Sequence, residues 1–334
     1  MRIGVAWFPN VNANYRAIMP IQAMAARGHS VVGPLDKNGA PDPRRLAGCD
    51  VVHVYRRLEP ETRGLLKTLV NGGKALVYDN DDDFSATPKE SLSYKEFRGR
   101  RGQQFFNQSV RMAKLATVCT TTNHVLAEKY RHAGVESVEV VGNYLSPRLP
   151  RPPRRRGPGV VIGWVAAGEH QADADRVGIA DALRRIVAEH ENVRVECFGV
   201  DLKLGERYSH ERNVPFSQLS ARLGAWDIGI AALADIPFNR TRSDIKLKEY
   251  ASAGVTWLAS PVGPYRGLGE SEGGRLVPDD RWFDAIDALV RRPRDRRRLA
   301  RRGHGWAKRN TIDAIANRWE QIFLSAARSV GRSV

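Results

Sequence analysis

The sequence has little cysteine, little lysine and no long apolar run, and each scarcity removes a class of protein. Its only cysteines are Cys49, Cys119 and Cys197, far apart and without a CxxC pair. An odd, scattered set argues against a disulfide framework and against a zinc site, and it fits a reducing cytoplasm. No apolar stretch approaches the roughly 18 residues that a membrane-spanning helix needs. The opening MRIGVAWFPN lacks the long apolar region of a secretory leader and reads as a first strand. A classical dinucleotide or phosphate-loop site is also unsupported, because neither GxGxxG nor GxxxxGK[ST] is found where a nucleotide would bind.

What is present is a 334-residue chain with 42% hydrophobic and 27% charged residues, enough for two globular domains with a core in each. Lys and Arg number 53 against 37 Asp and Glu, a formal net charge of +16; 42 of the basic residues are Arg and 11 are Lys. Arginine-rich coding accounts for such a bias. So does a surface that attracts anions such as phosphates, acidic lipids or nucleic acid. Arginine clusters at RPPRRR (Arg151 to Arg156) and RRPRDRRRLARR (Arg291 to Arg302) are not interleaved with aromatics. No helix-turn-helix, zinc-finger or RNA-recognition signature accompanies them, so no specific nucleic-acid partner is expected.

The first half alternates β-rich and helical runs. Strands are expected at Arg2 to Phe8, Ser30 to Gly33, Asp50 to Arg56, Lys74 to Asp79, Ala116 to Thr121 and Ser137 to Asn143. Helices are expected at Tyr15 to Arg27, Glu59 to Asn71, Leu92 to Lys114 and Asn123 to Gly134. The five-proline stretch YLSPRLPRPPRRRGPG (Tyr144 to Gly159) reads as a linker. The pattern then restarts. Strands are expected at VVIGWVA, VRVECFG, DIGIAAL, VTWLAS and GRLVP, and helices at Asp173 to His190, Phe216 to Leu223, Ser243 to Gly254 and through the C-terminal segments. The fold class is therefore α/β, two Rossmann-like domains facing across a cleft, with ligands beyond the carboxyl ends of the strands.

Three stretches follow strands at that cleft. In PNVNANYR, Asn14 is placed to cap a helix and Arg16 adds charge for a phosphate. In AAGEHQADAD, Gly168 permits close backbone approach and His170 stands near the cleft mouth. In PFNRTRSDIKLKEYASAGVTWLAS, Ser243 is the expected N-cap, with Asp244 in the first turn. Lys246 and Glu249 are three apart on one helical face, a cation for a diphosphate and a carboxylate for ribose hydroxyls. Each motif also has a plainer reading, as a polar cap, a solvated histidine or a surface ion pair.

Together the layout and these residues resemble the GT-B fold and the family 4 glycosyltransferases, a retaining, metal-independent class. The resemblance covers nearly the whole chain, through TTTNHVLAEKYRHAG…VEVVGN, VIGWVAAGEH and NRTRSDIKLKEYASAGVTWLAS. It implies that Glu249 contacts the donor ribose. Thr241 stands where the family usually has a second Glu near the sugar, and AAGEHQAD replaces the usual phosphate-binding Arg/Lys pair. Arg242 and Lys246, with Ser243 and Arg240, are then expected to hold the donor phosphates, and Arg16 and Asn14 are weaker candidates.

The resemblance implies this organisation: residues 1–143 an acceptor-side domain, 144–159 a linker, 160–310 a donor domain, and 311–334 a helix crossing back to the first. The implied activity moves a sugar from a UDP-, GDP- or dTDP-linked donor to an acceptor hydroxyl without a cofactor or metal. The acceptor is open: a small molecule, a glycan or a lipid-linked group. The implied location is cytoplasmic, with room for peripheral contact at an anionic inner membrane face. Two other readings stay open, a sugar-nucleotide 2-epimerase of the same fold and a non-catalytic binder of anionic membrane or nucleic acid.

The stretch YDNDDDF, Tyr78 to Phe84, puts four carboxylates into five positions. It has three readings: a metal site, a solvated loop, or a cleft wall in which Asp81 stands where relatives carry a His, with Asp82 beside it. Close carboxylates raise one another's pKa unless cations answer them. Arg16, Arg56 and Arg57, at neighbouring strand ends, are expected to do so.

Overall fold

Short, β-branched, nearly all-apolar strands set the architecture. VVHVY and ALVYDN are buried along their whole length, as parallel strands covered on both faces must be. In the computed structural model, which describes residues 1–89, 94–149, 159–167 and 170–331, two six-stranded sheets form, and every strand pairing in them is parallel. The first contains β1 (Arg2–Trp7), β2 (Ser30–Val32), β3 (Val51–Tyr55), β4 (Ala75–Asn80), β5 (Val118–Thr121) and β6 (Val138–Val140). The second contains β7 (Val160–Ala166), β8 (Val193–Gly199), β9 (Tyr208–Glu211), β10 (Ile228–Ala231), β11 (Thr256–Ala259) and β12 (Gly274–Leu276).

The first half carries helices α1 (Met19–Ala26), α2 (Pro43–Leu46), α3 (Pro60–Asn71), α4 (Tyr94–Phe97), α5 (Arg100–Leu115) and α6 (His124–His132). The second half carries α7 (Gln171–Val177), α8 (Ile179–Glu189), α9 (Phe216–Leu223), α10 (Pro237–Arg240), α11 (Ile245–Ser252), α12 (Trp282–Arg291) and α13 (Pro293–Lys308). Helix α14 (Ile312–Ser329) closes the described chain. Strand order is β2-β1-β3-β4-β5-β6 in one sheet and β12-β11-β10-β7-β8-β9 in the other. The order therefore reverses between β1 and β3 and between β7 and β10, and crevices open at such points.

Several boundaries differ from expectation for local reasons. The helix expected from Tyr15 begins as a π-type turn, Asn14–Ile18, and becomes α-helical only at Met19. The helix expected over Asp173 to His190 is two, because Gly178 takes a left-handed φ of 67° that ends α7 and starts α8. The edge strand β9 and the one-turn α2 have no clear periodicity in sequence. Residue Leu92, and Arg151 to Arg156 of the proline-rich stretch, lie outside the described residues.

Helix α14 packs on the first sheet although it follows the second in sequence. Trp319, Phe323 and Ile322 share a core with Val5, Val51 and Met24. The ring of His53 meets Trp319 and Phe323 edge-on at 5.4 and 5.7 Å. The chain crosses between halves twice, side by side: Leu145 N–H donates to Asn310 O (2.9 Å) and Ile312 N–H to Leu145 O (2.8 Å).

Arg16 is fully buried inside the first half. Its guanidinium makes a two-pronged pair with the buried Asp79 (Nε to Oδ1 2.9 Å) and donates to the carbonyl of Val141 and to Asn143 Oδ1 (3.2 Å). One side chain thus ties the turn after β1 to the ends of β4 and β6. Removing one partner of such a pair strands the other charge in a dry interior, at about 3–5 kcal/mol. Asp79→Asn and Arg16→Met should each destabilise by that order in urea unfolding, and the double variant should cost clearly less than the two summed. Single variants within about 1 kcal/mol of wild type would show that the pair does not hold this region.

Candidate functional site

The two crevices face each other, and their lips supply one pocket. It is lined by Asn12, Asp81, Asp82, Thr122 and Asn143 from the first half and by His170, Leu233, Arg242, Ser243, Lys246 and Tyr265 from the second, and spans about 470 Å³ of space that opens to solvent. The described large hydrophobics left exposed (Phe8, Val11, Leu35, Val125 and Phe216) all follow the carboxyl ends of strands. A separate cavity of about 630 Å³ lies under α14 beside Thr117, Ser137 and Glu139, towards the opposite ends of β5 and β6.

The second half presents cations to the pocket. Arg242 donates to His170 Nε2 (3.1 Å), and His170 Nδ1 lies 2.7 Å from Asp173 Oδ2. A guanidinium only donates, so Nε2 accepts and the ring proton sits on Nδ1, giving a neutral imidazole that aims the arginine. Asp173 accepts as well from Ala234 N–H (3.0 Å) and Asn239 Nδ2 (2.7 Å). Burial works against its charge, but His170 and these donors win and hold the carboxyl below its ordinary value. Lys246, in the first turn of α11, completes the group.

The first half presents carboxylates, each answered by a cation. Asp79 is taken by Arg16. Asp81 accepts from Arg56, from Tyr55 Oη (2.9 Å) and from Asn12 Nδ2 (2.7 Å). Asp82 pairs with Arg56 at 2.9 Å and lies 3.9 Å from Arg242 across the cleft. Asp83 is held by Lys129 at 2.5 Å and accepts from Ser85. Burial pushes the Asp81 carboxyl up and Arg56 pulls it back, leaving it above its ordinary value. Arg56 reaches two carboxylates from a left-handed backbone position, φ 53°. Among the described residues no group of three or more His, Cys, Asp or Glu stands where it could hold a metal ion.

Of the residues expected at the site, Asp81, Asp82, His170, Arg242, Ser243 and Lys246 come together here. Others do not. Arg16 has no freedom to meet a phosphate, because Asp79 and the β6 end consume its guanidinium. Asn14 caps nothing; its amide turns back to Val11 O (2.9 Å), while Asn12, two residues earlier, reaches the pocket. Ser243 is not the N-cap, since α11 starts at Ile245 behind Asp244; its hydroxyl instead accepts from Asn143 Nδ2 across the cleft (3.0 Å). Arg240 is drawn outward to Asp235 (2.6 Å). Thr241 is 2% exposed, and its hydroxyl donates to Phe238 O (2.8 Å), which removes it from any ligand. Gly168 lies outside the described residues. Arg57 meets Glu59 (3.3 Å) and Asn38 O rather than the acidic run.

Glu249 lines a second, more apolar cavity of about 800 Å³ with Tyr15, Met19, Leu145, Leu149, Phe216 and Leu219. Its carboxylate accepts from Tyr15 Oη of the other half. Asn12, Asn143, Thr122, Tyr15 and Tyr265 were not singled out from sequence. Two had a signal there: Asn12, as one of three asparagines after the first strand, and Asn143, as the Asn that ends VEVVGN.

Part of the arginine-rich segment on α13 is structural, joined by Arg275 of β12. Arg298, Arg275 and Arg302 converge on Glu270, and Arg296 donates to the last carbonyls of α12, Leu289 O and Val290 O. No described helix is long and apolar enough to cross a membrane.

No family model matches this chain, and no curated protein matches it by sequence. Solved structures do match. Sucrose-phosphate synthase from Thermosynechococcus elongatus superposes with a TM-score of 0.68 at 14% identity, covering 98% of this chain and 100% of that one. HepE of Anabaena in complex with UDP-glucose gives 0.66 at 14%, covering 97% and 99%. A glycosyltransferase from Rickettsia africae gives 0.66 at 11%, covering 97% and 98%. At such identities the likeness is one of fold, and that fold is GT-B, end to end.

Burial pushes the Glu249 carboxyl up to about 7, against the pull of Tyr15 and Lys246. The folded state therefore holds this proton where the unfolded chain, with an ordinary value of 4.5, has lost it. Folding stability contributed by this group falls as pH rises from about 4.5 to 7. In urea melts across that range, Glu249→Gln should flatten the decline relative to wild type; identical profiles would mean that Glu249 is not desolvated.

Proposed function

We propose that the protein is a glycosyltransferase that moves a sugar from a nucleotide-diphosphate donor to an acceptor hydroxyl. The observation that carries this reading is the convergence of Lys246 and the His170-aimed guanidinium of Arg242 at the crevice of the second half, opposite Asp81 and Asp82 of the first. Cations held in place at the cleft suit a leaving diphosphate, whose charge grows as the sugar departs. Residues 160–310 form the donor half and residues 1–143 the acceptor half. The HepE structures, solved with UDP and with UDP-glucose, share the fold and support a nucleotide-sugar ligand.

In this reading the diphosphate lies against Arg242, Lys246 and Ser243. The nucleoside extends past Lys246 into the apolar cavity, with Glu249 accepting from the ribose hydroxyls. Asp82, the less enclosed carboxylate, accepts from the acceptor hydroxyl. Asp81 orients Asn12 and Arg56 around it. Transfer proceeds with retention of configuration and without a metal or other cofactor, as in the family 4 enzymes that the sequence resembles. Side chains supply the positive charge that a metal provides elsewhere.

Calorimetry across UDP-, GDP- and dTDP-sugars should find one donor class that binds. Lys246→Ala and Arg242→Ala should each weaken it about tenfold to a hundredfold, the loss of one charge-assisted bond. With an acceptor present, transfer should survive a chelator, and the product's anomeric configuration by NMR should match the donor's. Unchanged affinity in both variants would remove the donor site from this cleft. Epimerised donor without transfer would indicate a 2-epimerase.

A further inference from the structure

The two cavities of the cleft meet on one face of α11. Lys246 lines the phosphate-sized pocket and Glu249, three residues on, lines the apolar one. At that junction stands a side chain from the opposite half. Tyr15 is 6% exposed, its hydroxyl donates to Glu249 Oε1, and its ring meets Phe216 edge-on at 5.6 Å. It therefore touches both the carboxylate and the aromatic wall of the apolar cavity.

Tyr15 is not there by slack. It belongs to the π-type turn Asn14–Ile18, a rare form that recurs at functional sites. The next residue, Arg16, bolts that turn to the ends of β4 and β6. The first half thus offers the phenol from a rigid base. The other polar contacts seen across the cleft among the described residues are isolated ones: Asn143 Nδ2 to Ser243 Oγ (3.0 Å), Asn123 Nδ2 to Arg242 O (2.8 Å), Lys248 Nζ to Asn143 O (2.8 Å) and the Asp82–Arg242 pair at 3.9 Å. A cleft held by so few contacts can part where a ligand replaces them.

We propose that Tyr15 is a gate, a latch between the halves that occupies the carboxylate a nucleoside needs. This rests on the nucleotide-sugar reading above and adds to it a competitor built into the chain. A vicinal diol engages both oxygens of a carboxylate, and Oε1 of Glu249 already accepts from Tyr15. Nucleoside binding must break the Tyr15–Glu249 bond and slide the ring off Phe216. Binding of the diphosphate alone, at Arg242, Lys246 and His170, need not. Tyr15 acts on the ligand through Glu249, so it is a positioning residue and not a catalytic one.

The test compares two probes on the full chain by calorimetry: inorganic pyrophosphate, and whichever of UDP, GDP and dTDP binds wild type most tightly. Tyr15→Phe keeps the ring and removes the latch. It should tighten the nucleotide about three- to tenfold, the scale of one hydrogen bond, and leave pyrophosphate unchanged. In a Glu249→Gln background, where the nucleotide binds more weakly, adding Tyr15→Phe should give a much smaller gain, because the two residues act as one unit. A nucleotide affinity that is unchanged or weakened in Tyr15→Phe overturns the gate while the donor reading stands. So does an equal gain for both probes, or an equal gain in the Gln background. If wild type and Tyr15→Phe bind pyrophosphate but no nucleotide, the donor reading falls and the gate with it.

Discussion

The buried pair of Arg16 and Asp79 fixes the geometry on which the cleft depends. Both side chains are fully enclosed, and the arginine has further bonds to the end of β6 and to Asn143. The backbone carbonyl of Arg16 accepts from His53 Nε2 (2.7 Å), which brings β3 into the same node. Strand ends that would otherwise be joined only by sheet hydrogen bonds are set at one height around a charged centre. Asn143, held there by Arg16, then reaches across to Ser243, and its carbonyl accepts from the buried Lys248 (2.8 Å). The placement of the second half against the first runs through that node.

The same logic sorts the acidic run. Four aspartates within five residues cannot share one environment while all are charged. The chain separates them where β4 ends at Asn80 and the backbone leaves the strand. Asp79 turns into the interior to Arg16, Asp81 and Asp82 turn to the cleft and Arg56, and Asp83 turns to Lys129. Three cations from different elements answer the four: Arg16 takes Asp79, Arg56 is shared by Asp81 and Asp82, and Lys129 takes Asp83. The run is thus one structural anchor, two cleft carboxylates and one loop clasp. What looks like a single motif in sequence does three jobs.

The alternation of strand and helix, the proline-rich break after residue 143 and the restart at Val160 were legible because they rest on periodicity and turn chemistry, which are local. The carboxyl-end rule then pointed to loops that line the cleft. Within those loops the sequence could not say which polar residue faces in. Arg16 and Asn12 lie four residues apart; one is sealed in the core and the other lines the pocket, and only the packing of β4 and β6 decides between them. Thr241 and Arg242 are adjacent, yet one hydroxyl closes the turn of α10 while its neighbour's guanidinium meets His170. Ser243 looked like a cap because of its residue type, but the helix begins two residues later. The Tyr15–Glu249 contact spans 234 residues of chain and left no trace in local pattern.

The central claim is that a nucleotide-diphosphate sugar lies between the halves with its phosphates on the cationic wall of the second. A crystal structure of the protein soaked with the tightest-binding nucleoside diphosphate addresses it most directly. The account predicts diphosphate density within hydrogen-bonding distance of Arg242 and Lys246, and the ribose at Glu249 with Tyr15 displaced from that carboxylate. Density for the diphosphate at the arginines of α13, or anywhere outside the cleft, with Arg242 still turned to His170 and an empty pocket beside it, would contradict it.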